Sequence, residues 1–135
     1  NLAQQIGNQG RYAEAEREFR AIYEIRRRPE SLGEEHPHTL STRSNLAQQI
    51  GNQGRYAEAE REFRAIYDLE RRPESLGEEH PHTLRTRYHL ATMLDGLARR
   101  DEADSLLVGL REAFLSVVSD DHIYVRELDA WLEKR

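Results

Sequence analysis

The sequence predicts an all-α fold, a stack of antiparallel helix pairs, and three observations carry that reading. The chain repeats itself at a period of 44 residues, with five differences between the first two copies. Its apolar residues recur at spacings of three, four and seven, and no stretch alternates with period two between hairpin turns. Gly and Pro fall every fifteen to twenty residues, which excludes one long coiled coil. A single helix pair is too small to bury its own apolar stripe, so each depends on its neighbours.

The first copy spans residues 1–44 and the second 45–88, both starting Asn-Leu-Ala-Gln-Gln-Ile-Gly-Asn-Gln-Gly-Arg-Tyr. The differences are Glu24/Asp68, Ile25/Leu69, Arg26/Glu70, Ser41/Arg85 and Ser44/Tyr88. A third, degenerate copy covers 89–119 and keeps Leu90, Ala91, Arg99, Glu102 and Ala103, with Ala98 in place of Gly54 and Arg100 in place of Tyr56. Asp120-Asp121-His122 then echoes Glu78-Glu79-His80 and opens a final half unit, 120–135.

Each unit reads as two helices, about seven in the chain. Pro37 and Pro81 suit the first helical turn, where a missing N–H costs nothing, and the acidic pairs before them complement the helix dipole. The first helix of a unit runs to about Gly51 or Asn52, Gly54 supplies a tight turn, and a second helix starts near Tyr56. By the same letters, a turn is expected at Gly10 and a helix start near Tyr12, so the first copy would hold an incomplete first helix. Tyr56, Ala59, Phe63, Ile66 and Tyr67 form one apolar stripe of the second helix, which stops before Pro73. From His122 onward, Val125, Leu128, Trp131 and Leu132 give one apolar face and suggest a capping helix, with Trp131 packed on the third pair.

Composition narrows the function classes. Hydrophobic residues make up 37% and charged residues 33%, with three Phe and one Trp, a thin core for a compact globule and a better match to a fold that is mostly surface. The formal charge of -5 offers no basic stripe for phosphates, so no nucleic acid is expected. With no Cys there is no disulfide, thiolate metal site or cysteine nucleophile. No run approaches a membrane span and the first residues do not resemble a secretory signal, so a soluble, cytoplasmic chain with no membrane partner is expected. Nineteen of the twenty basic residues are Arg, a bias that follows G and C rich codons.

The motif Asn45-Leu46-Ala47, Gly54-Arg55-Tyr56, Glu58-Ala59-Glu60, Phe63, and the linker Leu76-Gly77-Glu78-Glu79-His80-Pro81-His82-Thr83-Leu84 resemble the tetratricopeptide repeat. The likeness is to the longer variety found in kinesin light chains and in bacterial regulators, here of a bacterial, actinobacterial type, and it covers practically the whole chain. It implies a right-handed α-solenoid forming a single domain over 1–135. Two departures stand out: Ile22 and Ile66 occupy a position where the family has a small residue, and Arg-Pro-Glu-Ser adds two residues to the linker.

In such arrays the first helix of each pair lines a concave groove, and the resemblance implies that a partner peptide or domain lies there. Position by position, the groove residues are Gln4, Asn8, Ser41, Ser44, Gln48, Asn52, Arg85, Tyr88, Thr92 and Asp95. They make a polar wall whose amides suit an extended peptide backbone, with Arg85 able to pair with a carboxylate and Tyr88 able to anchor a partner. The expected role is a non-catalytic protein-interaction module within a larger regulatory or scaffold protein. The alternative is a structural spacer or homo-oligomer joined end to end, with Leu2 and Ile6 as the exposed apolar contacts of a helix that has lost its neighbour.

Other chemistry finds little support. The pairs His36/His38 and His80/His82 recur one repeat apart, but a two-residue spacing points side chains apart and no third ligand type converges, so they read as helix starts, His80 capping and His82 solvated, with no metal. Nothing places a nucleophile beside a base, and no Gly-rich loop follows a strand, so neither enzymatic activity nor a cofactor is expected. Tyr12, Phe19 and Tyr23 sit at packing-face spacing and read as core, not as a base-stacking series.

Overall fold

A computed structural model describes residues 2–135, and the side chains from Gly10 onward. The described residues are helical with no strand: α1 is Leu2–Arg26, α2 Pro37–Asn52, α3 Tyr56–Glu70, α4 Pro81–Gly96, α5 Arg100–Leu107, α6 Leu110–Leu115 and α7 Ile123–Lys134. The all-α expectation is met, with α1 packed on α2, α4 on α5 and α6, and α6 on α5 and α7. The chain divides into two compact units, Asn1–Ile66 and Tyr67–Arg135.

Three helices share one start. At α2, His36 has extended backbone (φ -64, ψ 138) and its Nδ1 accepts from the His38 N–H at 3.0 Å, with Pro37 in the first turn. At α4, His80 does the same for His82 at 3.1 Å, and at α7, His122 does so for Tyr124 at 3.1 Å. The imidazole thus takes the place of the Ser or Asp that more often satisfies a free first-turn N–H. The third copy of this motif occurs without the proline.

In the first unit, α1 packs along α2. Arg26 donates to the Thr42 hydroxyl at 2.7 Å, Tyr23 to Glu34 at 3.1 Å, and Glu16 accepts from Gln53 and Arg55 at 2.8 Å each. Leu40, Ala47 and Ile50 of α2 are buried. At Gly54 the chain takes φ +82, which a Cβ would oppose, and the Arg55 N–H reaches back to the Ile50 carbonyl at 3.3 Å. α3 then returns, joined to α2 by Arg43 and Glu62 at 2.6 Å, with Ala59, Phe63 and Ile66 fully buried.

The same twelve letters behave differently at the beginning of the chain. No turn forms at Gly10: α1 is one helix from Leu2 to Arg26, which corrects the expected break and the separate helix start near Tyr12. The physical reason lies in the partners. In the second copy Gln53 and Arg55 are both held by Glu16, which fixes the turn at Gly54. In α1 the helical hydrogen bonds run on through Gly10, and the helix cost of one Gly, about 1 kcal/mol, is too small to break them.

In the second unit, α4 packs on α5 and α6, and α6 on α7. The turn after α4 places Ala98 at φ 58, with the Arg99 N–H on the Leu94 carbonyl at 2.9 Å, the role Gly54 fills one repeat earlier. The second helix of this pair is broken, contrary to the two-helix pattern of the copies before it. α5 stops at Leu107, and Gly109 turns at φ +72 into α6. Arg87 of α4 stabilises the break, donating to the Leu106 carbonyl at 2.6 Å and the Val108 carbonyl at 2.5 Å, so groups freed from the helix stay bonded. Leu84, Tyr88, Leu110, Phe114, Val125 and Leu128 form the core, with Trp131 against it.

Candidate interaction surface

The ten groove positions do not share one environment. The side chains of Gln4 and Asn8, and of the proposed end contacts Leu2 and Ile6, lie outside the described residues. On α2, Ser41 and Asn52 are exposed and Ser44 and Gln48 half-buried. They project from one side of a helix whose other side carries the buried Leu40, Ala47 and Ile50, because residues three, four and seven apart share a helical face. The amphipathic spacing read from sequence therefore leaves a row of hydroxyls and amides open to solvent at both its ends.

The corresponding row on α4 is engaged inside its own unit. Arg85 donates to both carboxylate oxygens of Glu127 on α7, at 3.1 and 3.3 Å, and its guanidinium lies 4.8 Å from the centre of the Tyr124 ring. Tyr88 is a core residue, 8% exposed, with its ring edge-on to Trp131 at 5.8 Å; burial, aided by the Glu127 charge, pushes its phenol up to about 12. The Thr92 hydroxyl returns to the His89 carbonyl at 2.7 Å, and Asp95 receives both arms of Arg135 at 2.6 and 3.0 Å. Tyr88 as an exposed anchor is thereby corrected: its position is covered by α7.

The residues that sequence reasoning missed are therefore Glu127 of α7 and Arg135 just after it, whereas Trp131 packs on Tyr88 of the third pair as expected. A signal for the first was present. His80 and His122 are 42 residues apart, and so are Arg85 and Glu127. Equivalent positions on successive first helices thus meet, and opposite charges at one repeat position could have been read as a pair.

Beside this contact, Trp131, Asp95, Ala98, Arg100, Lys134 and Arg135 line an open cleft of about 460 Å³. Trp131 is half-buried, packed on Tyr88 from one side and bordering the cleft on the other.

Two buried titratable groups shape the second unit. Glu70, 4% exposed, accepts from the Thr86 hydroxyl at 2.5 Å; burial raises its pKa to about 7, and the Thr86 hydrogen bond only partly opposes this. His89, 7% exposed, is held neutral by burial and by the charge on Arg85, its pKa lowered to about 3. Among the described residues no group of three or more His, Asp or Glu could hold a metal ion, and His36 and His80 each commit one ring nitrogen to a backbone N–H. No described helix is long and apolar enough to cross a membrane.

No protein-family model matches the chain, and none of the curated proteins is similar to it in sequence.

Proposed function

We propose that the chain is a right-handed helical array of the tetratricopeptide kind that acts as a non-catalytic protein-interaction module, cytoplasmic and of bacterial type. The observation that carries this reading is the polar row Ser41, Ser44, Gln48 and Asn52 on α2, with Ser41 and Asn52 open to solvent. Hydroxyls and amides spaced along one helix face can donate to and accept from the backbone of an extended peptide without demanding a particular side-chain sequence. The helical hairpin α2–Gly54–α3 and the thrice-used histidine start support the repeat assignment.

Within this reading the α4 row has a different duty from that of α2. Arg85, Tyr88 and Asp95 hold α7 in place, so the ligand-contacting positions concentrate on Ser41, Ser44, Gln48 and Asn52.

The competing spacer reading, with copies joined end to end, has less support at the α7 end. Aligned on the histidine start, Arg126 and Glu133 stand where α2 carries Leu40 and Ala47, and both are exposed where those are fully buried. A head-to-tail junction would have to bury two charges with no partner supplied by the repeat.

The test is selection of peptides from a displayed random library against the whole chain, followed by titration of the selected peptides against Gln48→Ala/Asn52→Ala. Affinity lost in the double variant, with unchanged helicity, is the expected result. Equal binding to both proteins would remove the α2 row from consideration, and self-association in place of peptide binding would favour the spacer.

A further inference from the structure

The chain carries one helix-to-helix junction twice, with a single letter changed. Residues 27–40 and 71–84 are identical, and the residue that precedes them is Arg26 at the end of α1 and Glu70 at the end of α3. The backbone contacts of the two junctions match. The Gly33 N–H donates to the Arg26 carbonyl at 2.9 Å and the Thr39 hydroxyl to the same oxygen at 3.3 Å. The Gly77 N–H donates to the Glu70 carbonyl at 2.8 Å and the Thr83 hydroxyl at 3.5 Å. One residue thus fastens the end of a helix, the linker behind it and the start of the next helix.

The side chains form a short relay in each junction. Arg26 donates to the Thr42 hydroxyl at 2.7 Å, and Thr42 passes its own hydrogen to the His38 carbonyl at 3.1 Å. Thr86 has the same two neighbours, the His82 carbonyl at 3.0 Å and a Glu70 carboxyl oxygen at 2.5 Å. A hydroxyl has one hydrogen, so two oxygen neighbours at bonding distance are both satisfied only if one of them supplies a second. A carbonyl cannot, and a protonated Glu70 can. With Glu70 protonated the relay runs Glu70 to Thr86 to the His82 carbonyl, as it runs from Arg26 in the first junction.

We infer that Glu70 is a proton-operated latch: protonated, it ties the end of α3 to α4 as Arg26 ties α1 to α2, and ionised it lets the linker 71–80 open. In the ionised form the 2.5 Å contact reverses, Thr86 turning its only hydrogen to the carboxylate and leaving the His82 carbonyl. A charge 4% exposed then rests on one hydrogen bond at a helix C-terminus, the end where negative charge is disfavoured. No cation comes to its aid. Arg71 is paired with Glu78 at 2.7 Å and lies 5.0 Å from the centre of the Tyr67 ring, Arg72 is exposed, and the His82 ring faces His80 and Tyr124. Among the described residues, burial and the Thr86 hydrogen bond alone set its titration, which falls at about 7, so the latch is closed in mild acid and opens above neutrality. Arg26 keeps its charge throughout, which makes the first junction a control within the same molecule.

The experiment is amide hydrogen exchange of the full chain at pH 5 and pH 8, each rate divided by its intrinsic value at that pH, read at Gly77 and Gly33. Protection at Gly77 should fall by about tenfold or more between the two conditions, while protection at Gly33 stays constant. Glu70→Gln, whose amide can donate to Thr86 without titrating, should abolish the fall. Exchanging the two residues, Arg26→Glu with Glu70→Arg, should move the pH response from Gly77 to Gly33. Constant protection at Gly77, a fall shared equally by Gly33, or a fall that persists in Glu70→Gln overturns the latch. The Gln comparison decides the matter by itself if the exchanged chain does not fold.

Discussion

Arg85 and Glu127 occupy the same position in consecutive repeats and hold each other, Nε to Oε1 at 3.1 Å and a terminal nitrogen to Oε2 at 3.3 Å. The pair is about one third exposed on each side, so solvent screens it and its coupling should be modest, about 0.5 kcal/mol. Arg85→Glu should lower stability by more than that, since it sets like charges against each other, and Glu127→Arg in the same chain should recover most of the loss. Tyr88→Ala, by contrast, removes a buried ring from the core and should cost about 3 kcal/mol. Urea unfolding of the four proteins distinguishes the two effects; a Tyr88→Ala cost below 0.5 kcal/mol, roughly the scale of a surface substitution, would contradict the burial.

Glu70 should give stability a pH dependence of definite sign. Its folded pKa, about 7, is above its ordinary value of 4.5, so the folded chain keeps a proton that the unfolded chain loses across that window. Stability from this group is therefore full below about 4.5 and falls as pH rises through 7, by on the order of 3 kcal/mol. His89 acts in the opposite sense: the unfolded chain takes up a proton below about 6.5 that the folded chain refuses until about 3, so its contribution falls as pH drops. Glu70→Gln should thus raise the urea midpoint at pH 8 and leave an acid-side loss due to His89. A parent midpoint unchanged between pH 5 and pH 8, with no response to Glu70→Gln, would contradict this account.

Position 70 also offers a substitution designed by the protein itself. Its counterpart is Arg26, which donates to the Thr42 hydroxyl at 2.7 Å, whereas Glu70 accepts from the Thr86 hydroxyl at 2.5 Å. The threonine hydroxyl serves as acceptor in one copy and donor in the other, so opposite charges fit the same place. Glu70→Arg should fold and should abolish the stability loss between pH 5 and 8. Loss of the cooperative transition in this variant would show that the second unit cannot host what the first one does.

The glycines test how far tertiary context overrides local sequence. Gly10 lies in the middle of α1, and a Cβ added there meets no atom within 4 Å, so Gly10→Ala should stabilise by up to about 1 kcal/mol. Gly54, with the same neighbours in sequence, has φ +82, and Gly54→Ala should destabilise by about 1 kcal/mol. Ala98 already carries the strained geometry at φ 58, so Ala98→Gly should stabilise. Thermal midpoints rank all three, and a stabilising Gly54→Ala would rule out the turn.

The histidine caps should each matter independently. His80→Ala removes the acceptor for the His82 N–H and should cost about 1 kcal/mol, while His80→Asn should keep most of it. Hydrogen exchange at the His82 amide provides the local readout; protection unchanged in His80→Ala would contradict the cap.

Much of this was legible in the letters. The period of 44 residues, Pro37 and Pro81 at helix starts, the glycine turn at Gly54 and the stripe Ala59, Phe63, Ile66 all correspond to what the structure shows, because each rests on local geometry or on helical spacing. The candidate surface was less legible. Arg85 and Tyr88 looked like open groove positions because a helix face alone does not reveal what packs on it, and α7 does.

The sequence by itself determined the all-helical class, the repeat and the helix starts, since these follow from backbone propensities and side-chain spacing within a few residues. Tertiary structure alone decided that Asn1 to Tyr12 and Asn45 to Tyr56, the same letters, differ at Gly10 and Gly54: α1 runs straight through the first, and the chain turns at the second. The physical reason is that the two forms of this segment differ locally by only about the helix cost of a glycine, a margin small enough for Glu16 on Gln53 and Arg55 to select the turn.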